Sequence, residues 1–214
     1  MEITEKKIEI SRTGVYYKVG EDSSKRQWLC CHGYAQVADR MINKFDRLVA
    51  EGDKVVCVEG PNRFYWKGVR GNPVATWMTS RYRLDEIRDN NNYLNQVYQS
   101  EISRDSARVL LGFSQGGTTI WRWIHEQRPE FDLFVNYAGW IPEDLDLKML
   151  GDYLKGKKLI FIYGTRDEYL TEVRIEALKM IIERSGLDIE ILTNTGSHSI
   201  DRDTLDLVSG KLHY

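Results

Sequence analysis

Six short runs of the chain are apolar with almost no polar interruption: Trp28–Cys31, Val55–Val58, Val109–Leu111, Leu133–Val135, Leu159–Ile162 and Ile189–Leu192. Strands buried on both faces of a parallel sheet have this texture, whereas half-exposed strands alternate. Between the runs, apolar residues recur at helical spacing. The stripes are Val37, Met41, Phe45 and Leu48; Leu84, Ile87, Leu94 and Val97; Ile120, Trp121 and Ile124; Ile175, Leu178 and Ile182; and Leu205, Val208 and Leu212. Each stripe reads as core packing. Ahead of them, Lys7–Ser11 and Gly14–Val19 flank Arg12-Thr13 like the two arms of a hairpin, the antiparallel edge of a sheet. Strand then helix, repeated, predicts an α/β protein with a mostly parallel central sheet and helices on both faces. No repeat, low-complexity tract or linker interrupts residues 1–214, which read as a single domain. Open sheets of this kind carry their sites at the carboxyl ends of the strands.

One strand end is chemically distinctive. The apolar run Val109–Leu111 leads into Gly112-Phe113-Ser114-Gln115-Gly116-Gly117 and then into a helical stripe. This is G-x-S-x-G in the strand–turn–helix context that gives the motif its meaning. A serine nucleophile needs a tight, strained turn to project its Oγ, and neighbours two residues away on either side come too close to carry side chains. The helix N-terminus that follows turns unpaired N–H groups towards developing negative charge. The context predicts the α/β-hydrolase fold, with Ser114 as nucleophile. Tyr137 to Leu159 is too short a span for a cap domain, so no large cap or lid is expected there.

In this fold the acid and then the histidine follow the serine in the chain. Of the four histidines, His32 precedes Ser114, His125 falls in the helix directly after it, and His213 is penultimate, where chain ends fray. His198, in the polar loop Asn194–Ser199 after the last strand, is left as the base. The acid should follow the strand ending near Tyr163. Asp167 and Glu168 are adjacent there; Asp167 is preferred, Glu168 remains open, and Asp146 is the outside candidate. The acid would hold the imidazole tautomer and stabilise the imidazolium. An oxyanion hole needs two backbone donors, for which the N–H of Gln115 and the N–H of Tyr34, in the loop after the first parallel strand, are the candidates. His32 reads as an organiser of that loop.

Composition narrows the setting. A formal charge of −2 gives no electrostatic case for nucleic acid as a partner. The longest apolar run, about five residues, is far from the roughly 20 of a membrane span. Met1–Lys7 is charged and lacks the apolar segment of a secretory signal, so a cytoplasmic location is expected. The three cysteines, Cys30, Cys31 and Cys57, lie in apolar runs without the spacing of a disulfide framework or zinc site, and read as buried small hydrophobes in a reducing compartment.

With these residues in place, the chain from residue 28 onward resembles the phospholipase/carboxylesterase family, which includes the acyl-protein thioesterases. The resemblance rests on the elbow Gly112–Gly117, His32-Gly33, Pro61, Trp77, Gly164-x-x-Asp167 and Gly196-x-His198. It implies hydrolysis of small-molecule carboxylic esters or thioesters without cofactor or metal, with Ser114, Asp167 and His198 as the triad. Ala138-Gly139 stands where the family has Ser-Gly, Tyr34 stands where a smaller aliphatic is common, and segment 61–83 is rich in aromatics and arginine. These departures fall around the acyl and leaving-group sites. Trp66, Trp77 and Trp140 are the expected substrate-binding aromatics, and they favour short or aromatic acyl groups over long chains. A serine peptidase on the same fold and a non-catalytic hydrolase-like binding protein are the rival readings.

Overall fold

A computed structural model of the chain describes residues 1–212, so His213 lies outside the described residues. Each apolar run has become a strand, five of them buried and the last, at the sheet edge, only partly so. The main sheet comprises β1 (Tyr16–Val19), β2 (Arg26–Cys31), β3 (Lys54–Val58), β6 (Ala107–Phe113), β7 (Leu133–Tyr137), β8 (Lys158–Gly164) and β9 (Ile189–Asn194). Its strand order is β1-β3-β2-β6-β7-β8-β9, with β1 antiparallel to β3 and all other neighbours parallel. A separate two-stranded antiparallel hairpin is formed by β4 (Asn62–Tyr65) and β5 (Pro73–Thr76).

The helices follow the stripes. The first stripe is broken into α1 (Ala38–Met41), a 3-10 turn and α2 (Asp46–Ala50). The others become α3 (Arg83–Glu101), α4 (Gln115–Gln127), α6 (Glu172–Ser185) and α7 (Arg202–Ser209), while α5 (Gly151–Leu154) is one short turn between β7 and β8. No cap domain is inserted at that point, as expected. Leu212 lies beyond α7 but still packs against the core. Leu84 departs from expectation and is exposed. The α3 periodicity is instead continued by two buried asparagines: Asn90 donates to the Trp77 carbonyl (2.7 Å) and Asn91 to Glu126 (2.6 Å).

The N-terminal hairpin does not form. Tyr16–Val19 is the antiparallel edge strand, but Lys7–Ser11 has no sheet partner. Tyr93 explains why. Its hydroxyl donates to the Val15 carbonyl, and its ring lies where a Cβ on Gly14 would sit, so the chain turns away from the sheet onto α3. There Lys7 pairs with Asp85 at 2.7 Å.

The chain moves from β2 outward to β3, then returns to place β6 on the other side of β2 before running on to β9. The carboxyl ends of β2 and β6 therefore flank the point where the sheet's connections reverse, the usual place for a site in such sheets.

Candidate active site

Ser114 occupies the turn between β6 and α4 with φ 52° and ψ −119°, a conformation that costs a non-glycine residue about 1–3 kcal/mol. The turn is held by the Ser114 N–H, which donates to the Tyr137 carbonyl at 2.8 Å. The flanking glycines are required by close approach. A Cβ on Gly112 would strike the backbone of Gly116 and Gly117, and one on Gly116 would strike the Cys31 carbonyl.

His198 Nε2 lies 2.9 Å from Ser114 Oγ, and its Nδ1 lies 2.6 Å from Asp167 Oδ2. The carboxylate can only accept, so Nδ1 carries the proton and Nε2 is left as acceptor for the serine hydroxyl. The Asp167 side chain is fully buried, and its Oδ1 accepts the N–H groups of Tyr169 (2.8 Å) and Leu170 (3.0 Å). Glu168 and Asp146 are exposed, and Asp146 instead caps the 3-10 turn Leu147–Leu150.

The loops carrying Asp167 and His198 are laced together. Thr165 N–H donates to the Asn194 carbonyl (2.8 Å) and Arg166 N–H to the Gly196 carbonyl (3.0 Å). A Cβ on Gly164 would strike the Gly196 carbonyl, so glycine permits this approach. The buried Tyr137 hydroxyl accepts from Asn194 Nδ2 (2.7 Å) and the Asp201 N–H (3.0 Å), bracketing the histidine loop. Two rings flank the imidazole, Phe113 at 4.9 Å and Tyr169 at 4.7 Å between centroids. Neither was singled out from sequence, although both adjoin residues that were.

Across the elbow, Gly33 lies so close that its Cβ would sit 3.1 Å from that of Ser114. The N–H groups of Tyr34 and Gln115 have no hydrogen-bond partner among the described residues. His32 braces this loop: it is fully buried, its Nδ1–H donates to the Gly33 carbonyl (2.7 Å), and its Nε2 accepts the Gly60 N–H (2.9 Å). Burial pushes its pKa below the usual histidine value, which favours this neutral tautomer.

Trp77 requires a correction. It is fully buried, with its indole N–H donating to the His32 carbonyl (2.8 Å), so it supports the loop from behind and cannot contact substrate. The Gln115 side chain completes this backing by accepting from the Trp77 N–H (3.0 Å) and Thr76 Oγ1 (2.9 Å) and donating to the Met78 carbonyl (2.8 Å). Trp66 is exposed on the β4–β5 hairpin, where its ring and that of Phe64 meet Tyr34 at 6.1 and 5.5 Å. Trp140 is half-buried on the other side of the elbow, its carbonyl accepting from Thr118 Oγ1 and its ring covered by Arg174 at 5.2 Å.

Comparisons with known proteins agree with this architecture. The sequence model of a family described as "Serine hydrolase (FSH1)" matches residues 22–206. No curated protein sequence matches the chain significantly. Among solved structures, a carboxylesterase from Mesorhizobium loti superposes with TM-score 0.71 at 15% identity, covering 92% of this chain and 93% of that one. Zea mays acyl-protein thioesterase 2 gives 0.70 at 15% identity, with coverages of 93% and 97%. Esterase PE8 gives 0.67 at 16%, with coverages of 94% and 98%. At such identities these structures establish the α/β-hydrolase fold, in keeping with the resemblance read from the sequence.

Proposed function

The chain belongs to the serine hydrolase (FSH1) family, and on that premise we propose that it cleaves small carboxylic esters or thioesters through an acyl-enzyme on Ser114. The observation that carries this reading is the unbroken hydrogen-bonded run from Ser114 Oγ through His198 to Asp167. His198 Nε2 takes the hydroxyl proton as Oγ bonds to the acyl carbon. Asp167 orients the ring and stabilises the imidazolium. The carbonyl oxygen, now negative, is received by the unpaired N–H groups of Tyr34 and Gln115, donors fixed before the charge develops. Collapse breaks the bond to the leaving alcohol or thiol, which departs with the proton from His198. Water then repeats the sequence, losing its proton to His198 and releasing the acid and Ser114. Trp66 and Trp140 are the aromatics that would face substrate.

A reducing, cytoplasmic setting fits the cysteines, which are free and buried, with the Cys30 and Cys31 thiols pushed up in pKa by burial and so unreactive. Among the described residues no helix is long and apolar enough to cross a membrane.

The test is labelling with a fluorophosphonate, together with turnover of a 4-nitrophenyl ester, an alkyl thioester and a peptide anilide. Labelling and turnover of the first two, both lost in Ser114→Ala, are expected. Faster turnover of the anilide would make the protein a peptidase. A folded protein that neither labels nor turns over would be a binding protein.

A further inference from the structure

The excursion between β3 and α3 has a composition unlike the rest of the chain. From Pro61 to Leu84 there is no Asp or Glu, while Arg63, Lys67, Arg70, Arg81 and Arg83 are all basic, in a protein whose formal charge is −2. Arg63 is taken by Glu59 at 2.8 Å. Lys67 and Arg70, in the turn of the β4–β5 hairpin, have no side-chain hydrogen bond or ion pair among the described residues; the hydrogen bonds that close the turn are backbone bonds, Trp66 N–H to the Asn72 carbonyl and Gly71 N–H to the Gly68 carbonyl.

This turn adjoins the site. The hairpin is fastened to the loop after β2 by two backbone hydrogen bonds, Ala35 N–H to the Ala75 carbonyl (3.0 Å) and Ala75 N–H to the Gln36 carbonyl (2.9 Å). Its Phe64 and Trp66 rings cluster on Tyr34, one residue from the Gly33 that abuts Ser114. Lys67 directly follows Trp66. An aromatic surface, on a hairpin whose turn carries two unpaired cations, is therefore built onto the same loop that offers the Tyr34 N–H.

Strand order assigns this surface to one half of the substrate. The leaving group must face His198, which protonates it, and His198 comes from the β9 side of Ser114. The hairpin is anchored on the β2 side, so it meets the acyl half. We infer that the enzyme selects acyl groups that are aromatic or short and carry an anionic group, a carboxylate above all, with Tyr34, Phe64 and Trp66 receiving the body of the acyl group and Lys67 and Arg70 its charge. This rests on the esterase reading and specifies its substrate class.

The experiment compares three esters, each rate divided by that ester's own rate of alkaline hydrolysis. They are the mono-4-nitrophenyl ester of terephthalic acid, the 4-nitrophenyl ester of 4-carbamoylbenzoic acid, which is similar in shape but neutral, and the benzoyl ester of 4-hydroxybenzoate, with the anion on the leaving group. The terephthalate ester should exceed the carbamoyl ester about tenfold in kcat/KM at low ionic strength, and the preference should shrink towards unity in about 0.5 M salt. Lys67→Glu/Arg70→Glu should abolish or invert this ratio. Because the ratio is taken within one variant, a loss of folded protein cancels. Lys25→Glu/Arg104→Glu, at the amino ends of β2 and β6 and equal in net charge change, should keep it. A ratio near one in the wild type, a ratio unchanged in the Lys67/Arg70 variant, or a preference confined to the anionic leaving group would each overturn the inference while leaving the esterase reading intact. Turnover of none of the three, with no fluorophosphonate labelling, would overturn both.

Discussion

Asp167→Asn separates what the carboxylate does for His198 from what it does for its own loop. An asparagine has a single acceptor oxygen, and two backbone donors already claim that position, Tyr169 N–H and Leu170 N–H at 2.8 and 3.0 Å. The amide nitrogen must then face His198 Nδ1, 2.6 Å from the present Oδ2. A donor there selects the imidazole with its proton on Nε2, which can no longer accept the Ser114 proton. A wrong tautomer in an otherwise intact site lowers kcat by about 10⁴-fold, equivalent to about 5.5 kcal/mol at 1.36 kcal/mol per decade. The loop itself should survive, since its two N–H bonds persist and lose only their charge assistance, about 1–2 kcal/mol. For a chain of this length that lowers Tm by about 2–8 °C. The assay is kcat for 4-nitrophenyl acetate beside a thermal melt, with the exposed Glu168→Gln as comparison. A folded Asp167→Asn enzyme that keeps more than about a tenth of its activity, or an equal loss in Glu168→Gln, would refute the reasoning.

Other expectations follow from the same geometry. Ser114→Ala should melt as the wild type does yet lose about 10³-fold or more in turnover, and near-normal turnover would remove Ser114 from the mechanism. Gly116→Ala must push its Cβ against the Cys31 carbonyl, so it should lower both Tm and activity; a variant as stable as the wild type would mean the elbow is looser than described. His32 has a depressed pKa when folded, so the unfolded chain takes up the proton first as the pH falls below about 6.5. The stability linked to this histidine is thus present above that pH and lost with acidification, and His32→Gln should flatten the fall in Tm between pH 7 and 5; equal slopes would contradict it. Across 4-nitrophenyl esters from acetyl to palmitoyl, each methylene that fits should add up to about 0.8 kcal/mol, until the Tyr34 and Trp66 rings close the site. The optimum should therefore be short, and a kcat/KM maximum at long chains, with all esters kept monomeric, would exclude these rings as a wall.

Much of the fold was legible because its signals are local. Strands buried on both faces leave uninterrupted apolar runs, and all six runs became strands, extended by up to two residues at either end. The features that escaped depend on distant partners. The β4–β5 hairpin lies outside the main sheet and is held by the loop after β2, so only its aromatic and basic composition stood out. Trp77 carries no sequence mark to distinguish a ring facing substrate from one buried behind a loop; its hydrogen bond to His32 spans 45 residues. The buried Asn90 and Asn91 fill the gap between Ile87 and Leu94 in the second stripe, and no local signal marks them as buried because their partners are a carbonyl and a carboxylate on other elements. The expected hairpin around Arg12-Thr13 failed for the same reason: Tyr93, some 80 residues on, fills the space beside Gly14.

The candidate site divides along the same line. Ser114 can be found from sequence because its strain is imposed within a few residues: a φ of 52° held by the Tyr137 carbonyl, and glycines wherever backbone meets backbone. The histidine and the acid are unstrained, so their only local trace is a polar loop after the correct strand. Asp167 and Glu168 are equivalent by that criterion. What separates them is the turn after β8, where the N–H groups of Tyr169 and Leu170 converge on one carboxylate oxygen and leave the other for His198. A glutamate one residue later would have to reverse its direction to meet both demands, and the exposed Glu168 meets neither. The order in which residues become legible thus follows where their geometry is determined, first by the neighbouring backbone and only then by loops that meet across the sheet.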